Sequence, residues 1–381
     1  MHAYLNGHTV TLFLFKNECK AVRKSGDANH TTHYFYILYI ACVYSMKEVL
    51  RAKKLDAIVL HNTREKPDAN YLYHAGVGVV GAVVIKKSSA VLYTWELELE
   101  KAKKNSPLRV KLFKNEFEKF KGKRIGIDFA NTTLLQKKLF AGATLVDVSK
   151  ELAQKRRSKT PQEIAKIKKA IAITEDIFIK TFFHFKNFKT EQDVARFMHV
   201  EAIKRDCALA YNPIVASGKN ASQAHYEPKK TKLAKGFCVI DFGVKYQGYC
   251  ADITRTIYLG EPSKKEVERY FKVLQAHEEA VKQLQSSKNA AKADARAREV
   301  LGELKKLFIH SLGHGLGLDV HEGVHLHESR KDEVLEGEVF TIEPGIYEEG
   351  KYGIRIEDDY VMRKDGPQRL SSLGRQLLII K

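Results

Sequence analysis

The sequence predicts an α+β protein of two domains, a small α/β unit over residues 46–152 and a larger unit over residues 153–381. Length is the first reason, since 381 residues can form two units that each bury a core. Second, short apolar runs alternate with helical stretches between Met46 and Leu152, as strands interleaved with helices do. Third, the polar, basic stretch Glu151 to Thr160 runs directly into a strong helix start.

The elements follow in order. Met46 opens an amphipathic stretch, MKEVLRAKKLDAIVL, whose Ala57 to Leu60 end reads as a strand. Gly81 to Ile85 with Ala90 to Tyr93 reads as a hairpin, Leu97 to Lys104 as a charged helix, and Arg124 to Asp128 as a further strand before a helix start at Asn131-Thr132-Thr133. Beyond the boundary, Thr160-Pro161-Gln162-Glu163 combines a capping hydroxyl, a proline suited to the first turn and a glutamate able to reach back to the cap amide. Thr190 caps a second helix, and a long charged helix is expected over Ser263 to Lys306.

Residues 1–45 stand apart. The run Tyr34 to Tyr44 (YFYILYIACVY) is apolar but shorter than the ~20 residues a bilayer crossing takes. No charged segment leads directly into it and no A-x-A cleavage site follows. We expect an upstream extension, of the kind a mis-assigned start produces, and no membrane anchor.

Composition narrows the function classes. With 44% hydrophobic and 29% charged residues and 8 prolines, the chain is globular in type. Five cysteines, an odd number without CxxC spacing, argue against a disulfide framework or zinc ribbon and for a reducing, cytoplasmic compartment. The net charge of +19 raises nucleic acid as a partner, but lysine and arginine are spread along the chain without a basic stripe interleaved with aromatics. A basic solvated surface, with no specific nucleic-acid site, is the expectation.

Two motif matches lack the context their chemistry needs. Gly76 to Gly81 fits G-x-G-x-x-G, but it continues into the strand-like Ala82 to Ile85 instead of a helix N-terminus, so a turn between strands is expected. His321-Glu322-Gly323-Val324-His325 fits H-E-x-x-H, which works only on a helix, and Gly313, Gly315, Gly317 and Gly323 oppose one there at ~1 kcal/mol each.

A different constellation carries the chemistry. Cys238 to Val244 and Tyr249 to Thr254 are strand-like with turn material between them. If the loop is the two-residue Tyr246-Gln247, Asp241 faces Asp252 across a hairpin with Cβ atoms ~5 Å apart. Two like charges so placed destabilise a sheet unless a cation lies between them. Further on, His310 and His314 stand in an apolar, Gly-rich loop, Glu343 ends the apolar strand Val339 to Ile342, and Arg355 and Glu357 share one face while Ile354 and Ile356 take the other. A glutamate in such surroundings needs a partner. Four carboxylates (Asp241, Asp252, Glu343, Glu357) and one imidazole (His314) balance two divalent ions, and their donors suit manganese, iron, cobalt or zinc.

In these segments, DFGVKYQGYCADITRT, HSLGHGLGLDVHE, FTIEPGIY and GIRIEDDYV, the chain resembles the pita-bread metallopeptidases: prolidase, aminopeptidase P and methionine aminopeptidase. The likeness runs from about Arg157 to Lys381, and more loosely back to Met46. It implies a catalytic pita-bread domain behind a creatinase-type N-terminal domain, and two metal ions, manganese or cobalt first, held by Asp241, Asp252, His314, Glu343 and Glu357. It implies that Glu343 also shuttles a proton, that His225 stabilises the tetrahedral intermediate, that His321 contacts substrate near the scissile bond, and that His310 and Arg355 line the pocket. Ala224 departs from the pattern, where a proline often precedes the histidine. The upstream domain points to the prolidase and aminopeptidase P branch, hence to peptides with proline second, cleaved by a bridging hydroxide, and to a homodimer. Two other readings stay open: methionine removal, and a non-catalytic pita-bread binding protein.

Overall fold

The computed structural model describes residues 2–5, 8–11, 46–64 and 67–381. The expected extension lies largely outside the described residues, as do Cys19, Cys42 and the apolar run 34–44. Two short strands within it are described: His2–Leu5 pairs with His8–Thr11 and, on its other side, with Leu377–Ile380. The chain forms two compact units, one of residues 17–156 and one of residues 1–16 with 157–381. Among the described residues, no helix is long and apolar enough to cross a membrane.

In the first unit, six strands form one mixed sheet in the order Arg109–Leu112, Ser89–Thr94, Gly81–Lys86, Ala57–Asn62, Arg124–Ile127, Thr144–Asp147. Side chains alternate across each strand, and here both faces are covered. Ile58, Leu60, Val83 and Ile85 enter one apolar cluster, while Ala57, Val59, Ala82 and Val84 enter another. That double burial explains why these strands read as continuous apolar runs. The expected hairpin is present, with Ile85 opposite Ala90. The G-x-G-x-x-G match follows a helix, not a strand. Gly76 caps Ala69–Ala75 in the left-handed conformation (φ 68°), and Gly81 begins the next strand.

The second unit opens on the helix Pro161–His184, whose Thr160 and Glu163 form the reciprocal cap expected of them. Thr190 does the same with Asp193 for Glu191–Ile203. The charged helix expected over Ser263 to Lys306 is two helices, Lys264–Ser287 and Ala290–Leu301. Asn289 accepts the Lys292 amide and so starts a new helix, while Lys288 turns the corner at φ 51°. The two pack alanines and Tyr270, Val273 and Leu284 against Phe340, Ile342, Ile354 and Ile356, each nearly or wholly buried. Fully burying such a side chain contributes about 1.5–3 kcal/mol. This packing fixes one face of the strands whose opposite face carries the acidic residues. Cys207, Cys238 and Cys250 are buried free thiols.

The central sheet runs Ile214–Ser217, Gly236–Phe242, Ile253–Leu259, Leu377–Ile380, then the two N-terminal strands. Its register corrects the expected hairpin. The turn is Gln247-Gly248, with φ of 48° and 87°, so Tyr246 faces Tyr249 and Asp241 faces Thr254 rather than Asp252. Positive φ at both central residues is what a tight two-residue turn demands, and Gly248 supplies it more readily than Tyr246 could. Asp252 instead leaves the ladder one step before Ile253, at a bend where Gly243 lies flat against Ala251. A Cβ on Gly243 would come 1.8 Å from the Ala251 carbonyl oxygen. Gly243→Ala is therefore expected to lower stability by about 1–3 kcal/mol, read as a fall in Tm in metal-free protein, whereas a Gly78→Ala control, with open space around it, leaves Tm within a degree or two.

Candidate metal centre and active site

Each candidate ligand stands at the end of a strand, where backbone leaves the ladder and a side chain can turn inward. Asp241 lies near the end of Gly236–Phe242, Asp252 just before Ile253–Leu259, Glu343 just after Val339–Ile342, and Glu357 between Tyr352–Arg355 and Asp358–Arg363. His314 pairs with His325 across a two-residue ladder. Asp252, His314 and Glu357 bring one ligand atom each to within 4.8 Å of one another. Glu343 joins them, its Oε1 lying 3.3 Å from His314 Nε2. Asp241 is tied in differently. Its Oδ2 accepts from Arg355 at 2.6 Å, and Arg355 also donates to Thr254, whose hydroxyl donates to Glu357 at 2.7 Å.

These five side chains are mostly or wholly buried, and burial dominates their electrostatics. It pushes Glu343 up to about 8 against the pull of Arg355. Asp252 and Glu357 are raised well above the usual carboxylate range, first by burial and then by neighbouring carboxylates. Burial, helped by His321, holds His314 down to about 3, so it is a neutral imidazole with a lone pair to offer. Four carboxylates facing a single guanidinium lack positive charge. Their oxygens with one neutral nitrogen fit a hard or borderline divalent cation.

The remaining expected residues surround this centre. His310 Nδ1 donates to Ser311 O (2.8 Å) and lies 3.9 Å from Glu343 Oε2, and its Nε2 lies 3.1 Å from Tyr347 OH. Arg355 donates to Tyr347 OH and to the carbonyl of Ala224, beside His225. His321 packs against His314, ring centroids 4.1 Å apart and planes inclined by 60°. His225 and His321 are exposed, and His225 lies near enough to depress both His310 and His321 electrostatically. The segment around His321 is irregular, so H-E-x-x-H does not sit on a helix.

Several residues that serve the site carry no signal in the sequence. Tyr211 places its hydroxyl 2.5 Å from both Asp241 Oδ1 and Asp252 Oδ1, and so joins the two aspartates that the hairpin register keeps apart. Glu191, wholly buried, accepts from Ser217, Asn220 and Tyr226, and thereby holds the loop that ends in His225 and Tyr226. Asp358 is gripped by Arg255, Arg369 and Ser371, and although burial pushes it up, the two guanidiniums and the Ser371 hydroxyl help hold it at about 2. Arg255 also donates to the Glu357 carbonyl at 2.5 Å. The backbone on both sides of Glu357 is thus pinned before any ion binds.

Comparisons with known proteins give the family. Residues 165–364 match metallopeptidase family M24, and residues 43–158 match the creatinase/prolidase N-terminal domain. The fold and site define a metallopeptidase of pita-bread type. The chain belongs to metallopeptidase family M24, in its prolidase and aminopeptidase P branch. It is 32% identical to an Xaa-Pro dipeptidase of Pyrococcus horikoshii, over 87% of this chain and 97% of that one. Among solved structures it is similar to an Xaa-Pro dipeptidase from Bacillus anthracis (TM-score 0.83, 27% identity, 90% of this chain and 100% of that one). It is likewise similar to an X-Pro aminopeptidase from Thermotoga maritima (TM-score 0.80, 32% identity, 88% and 99%).

The carboxylate shifts predict how metal-free protein responds to pH. Glu343 binds its proton more tightly folded than unfolded, so its contribution is full below about 4.5 and is lost as pH rises to about 8. The buried histidines act oppositely, since their lowered values add stability as pH rises to about 6.5. Between pH 6.5 and 8 the histidine contribution levels off while that of the carboxylates is still being lost. The Tm of metal-free protein is expected to fall across that window, and saturating Mn²⁺ to flatten the fall. A metal-free Tm that rises from pH 6.5 to 8 contradicts this assignment.

Proposed function

We propose that the chain hydrolyses the bond between an N-terminal residue and proline, using two divalent cations held by Asp241, Asp252, His314, Glu343 and Glu357. The observation that carries the reading is the buried convergence of Asp252, His314 and Glu357, with Glu343 at 3.3 Å from His314. The names of the relatives and the creatinase/prolidase N-terminal match support proline at the second position. Manganese or cobalt suits these donors, and iron or zinc can replace them. Free buried cysteines and the family likeness support a cytoplasmic homodimer.

Such cations supply a Lewis acid and lower the pKa of water to about 7. The protein's own groups do the rest. Glu343, whose own proton the bound cations would displace, takes a proton from the attacking water at Oε2 and returns it to the proline nitrogen as the C–N bond breaks. That nitrogen is tertiary in the substrate and leaves as a secondary amine, so the returned proton is what makes departure possible. His225, at the exposed mouth, donates toward the developing oxyanion, and His321 orients the substrate against His314. His310 and Arg355, joined through Tyr347, hold the pocket wall and keep Asp241 aligned.

Assays of Xaa-Pro dipeptides, longer Xaa-Pro peptides and Met-Ala peptides with added Mn²⁺ or Co²⁺ test the specificity. Cleavage confined to Xaa-Pro bonds is expected. Preference for Met-Ala would favour methionine removal, and no turnover with no metal retained would favour a binding protein. Asp252→Ala and Glu357→Ala should each lower activity by more than the roughly 10–100-fold that outer partners of a metal cost, and lower bound metal with it.

A further inference from the structure

The residues that open the second unit, Arg157 to Lys159, reach the loop that carries His321. Lys159 is buried, its side chain 1% exposed, and its ammonium lies 3.0 Å from Glu322 Oε1, whose side chain is 4% exposed. Glu322 is the residue after His321. It lies flat against the chain leaving His314. A Cβ on Gly317 would come 2.1 Å from Glu322 Oε1, and one on Gly315 would come 1.8 Å from the Glu322 carbonyl oxygen. The Glu322 amide donates to Gly315 O at 2.9 Å, and its Oε2 accepts from the Asp319 amide at 3.1 Å. The loop 315–322 is therefore closed on itself around one buried carboxylate, with the His314 and His321 rings in contact at its base, centroids 4.1 Å apart and planes inclined by 60°.

Two residues earlier, Arg157 grips Glu338 through Nε and Nη2, both at 2.8 Å. Glu338 Oε1 in turn accepts the Val324 amide at 2.9 Å, and the left-handed Gly323 (φ 77°) lets that approach occur. The stretch 322–324 is thus held on one side by Lys159 and on the other by Arg157. A buried carboxylate stripped of its cation would turn toward solvent or draw in water, and the flat packing of Glu322 on Gly317 would go with it.

We propose that Lys159, acting through Glu322, is a positioning residue that sets the His321 imidazole against His314. The proposal rests on the reading of His321 as a substrate-orienting group, and nothing in it requires Lys159 to touch substrate or metal.

The test compares full-length, Mn²⁺-loaded Lys159→Met, Glu322→Gln, Lys159→Arg and the double Lys159→Met/Glu322→Met. Lys159→Met and Glu322→Gln are each expected to lower kcat/KM on an Xaa-Pro peptide by roughly 10–100-fold, with Mn²⁺ affinity, measured by calorimetry, within about threefold of the parent. Lys159→Arg keeps the charge and should restore most of the loss. The double variant removes both charges, so it should regain Tm without regaining kcat/KM. Recovery of both would show a merely structural pair and overturn the proposal, as would a Lys159→Met protein that folds and keeps kcat/KM within twofold. His321 imidazole NMR signals, recorded on the same variants free of paramagnetic Mn²⁺, give a readout independent of turnover. They should move in Lys159→Met and stay in Lys159→Arg, even if the parent cleaves some other peptide; unmoved signals in a folded Lys159→Met overturn the proposal. A parent that cleaves no peptide would count against the functional reading alone.

Discussion

Four carboxylates brought out of water within one small volume repel one another and lose hydration, and the rest of the catalytic unit is arranged around that conflict. Burial, with the neighbouring carboxylates, pushes Asp252 and Glu357 well above their ordinary range and Glu343 to about 8, and among the described contacts Arg355 is the one guanidinium that binds one of the candidate carboxylates directly. A protein with no further use for these groups would gain by replacing them with apolar residues. Their retention makes sense if divalent charge completes the site, and the same shortage of positive charge supplies the driving force for binding it.

Holding such a cluster needs rigidity that the cluster cannot provide itself. Ile354 and Ile356, on the reverse of the chain that carries Glu357, are locked into the core beneath the helices Lys264–Ser287 and Ala290–Leu301. Asp358, next in sequence, faces away into its own nest of Arg255, Arg369 and Ser371. Buried His277, pushed down to about 3 by burial, bridges the Ile356 carbonyl and Tyr360. Glu357 is therefore fixed from both sides of the chain. His225 and His321 are held on the same plan, by buried carboxylates outside the candidate ligand set: Glu191 for the loop of His225 and Glu322 for the loop of His321.

The sequence made legible what depends on local pattern. Alternation put Arg355 and Glu357 on one face and Ile354 and Ile356 on the other, and the caps at Thr160 and Thr190 are where their hydroxyls and acidic partners foretold. Where a single φ value decided the outcome, pattern was insufficient. Lys288 and Gln247 both take left-handed conformations that lysine and glutamine do not advertise, so one helix became two and the hairpin shifted its turn by one residue. Asp241 and Asp252 still meet, but through Tyr211 and not across the ladder. Tyr211, Glu191 and Lys159 escaped notice for a related reason. Each earns its role from partners at least 25 positions away in the chain, and no periodicity encodes such a pairing.

The central claim is that the conflict among the carboxylates is resolved by two divalent cations. Calorimetric titration of metal-free protein with Mn²⁺ at pH 7, repeated in buffers of different ionisation enthalpy, tests it most directly. The account predicts two ions per chain with protons released on binding, because Glu343, held at about 8, carries its proton until the metal displaces it. Binding of fewer than two ions, or binding without proton release, would contradict it.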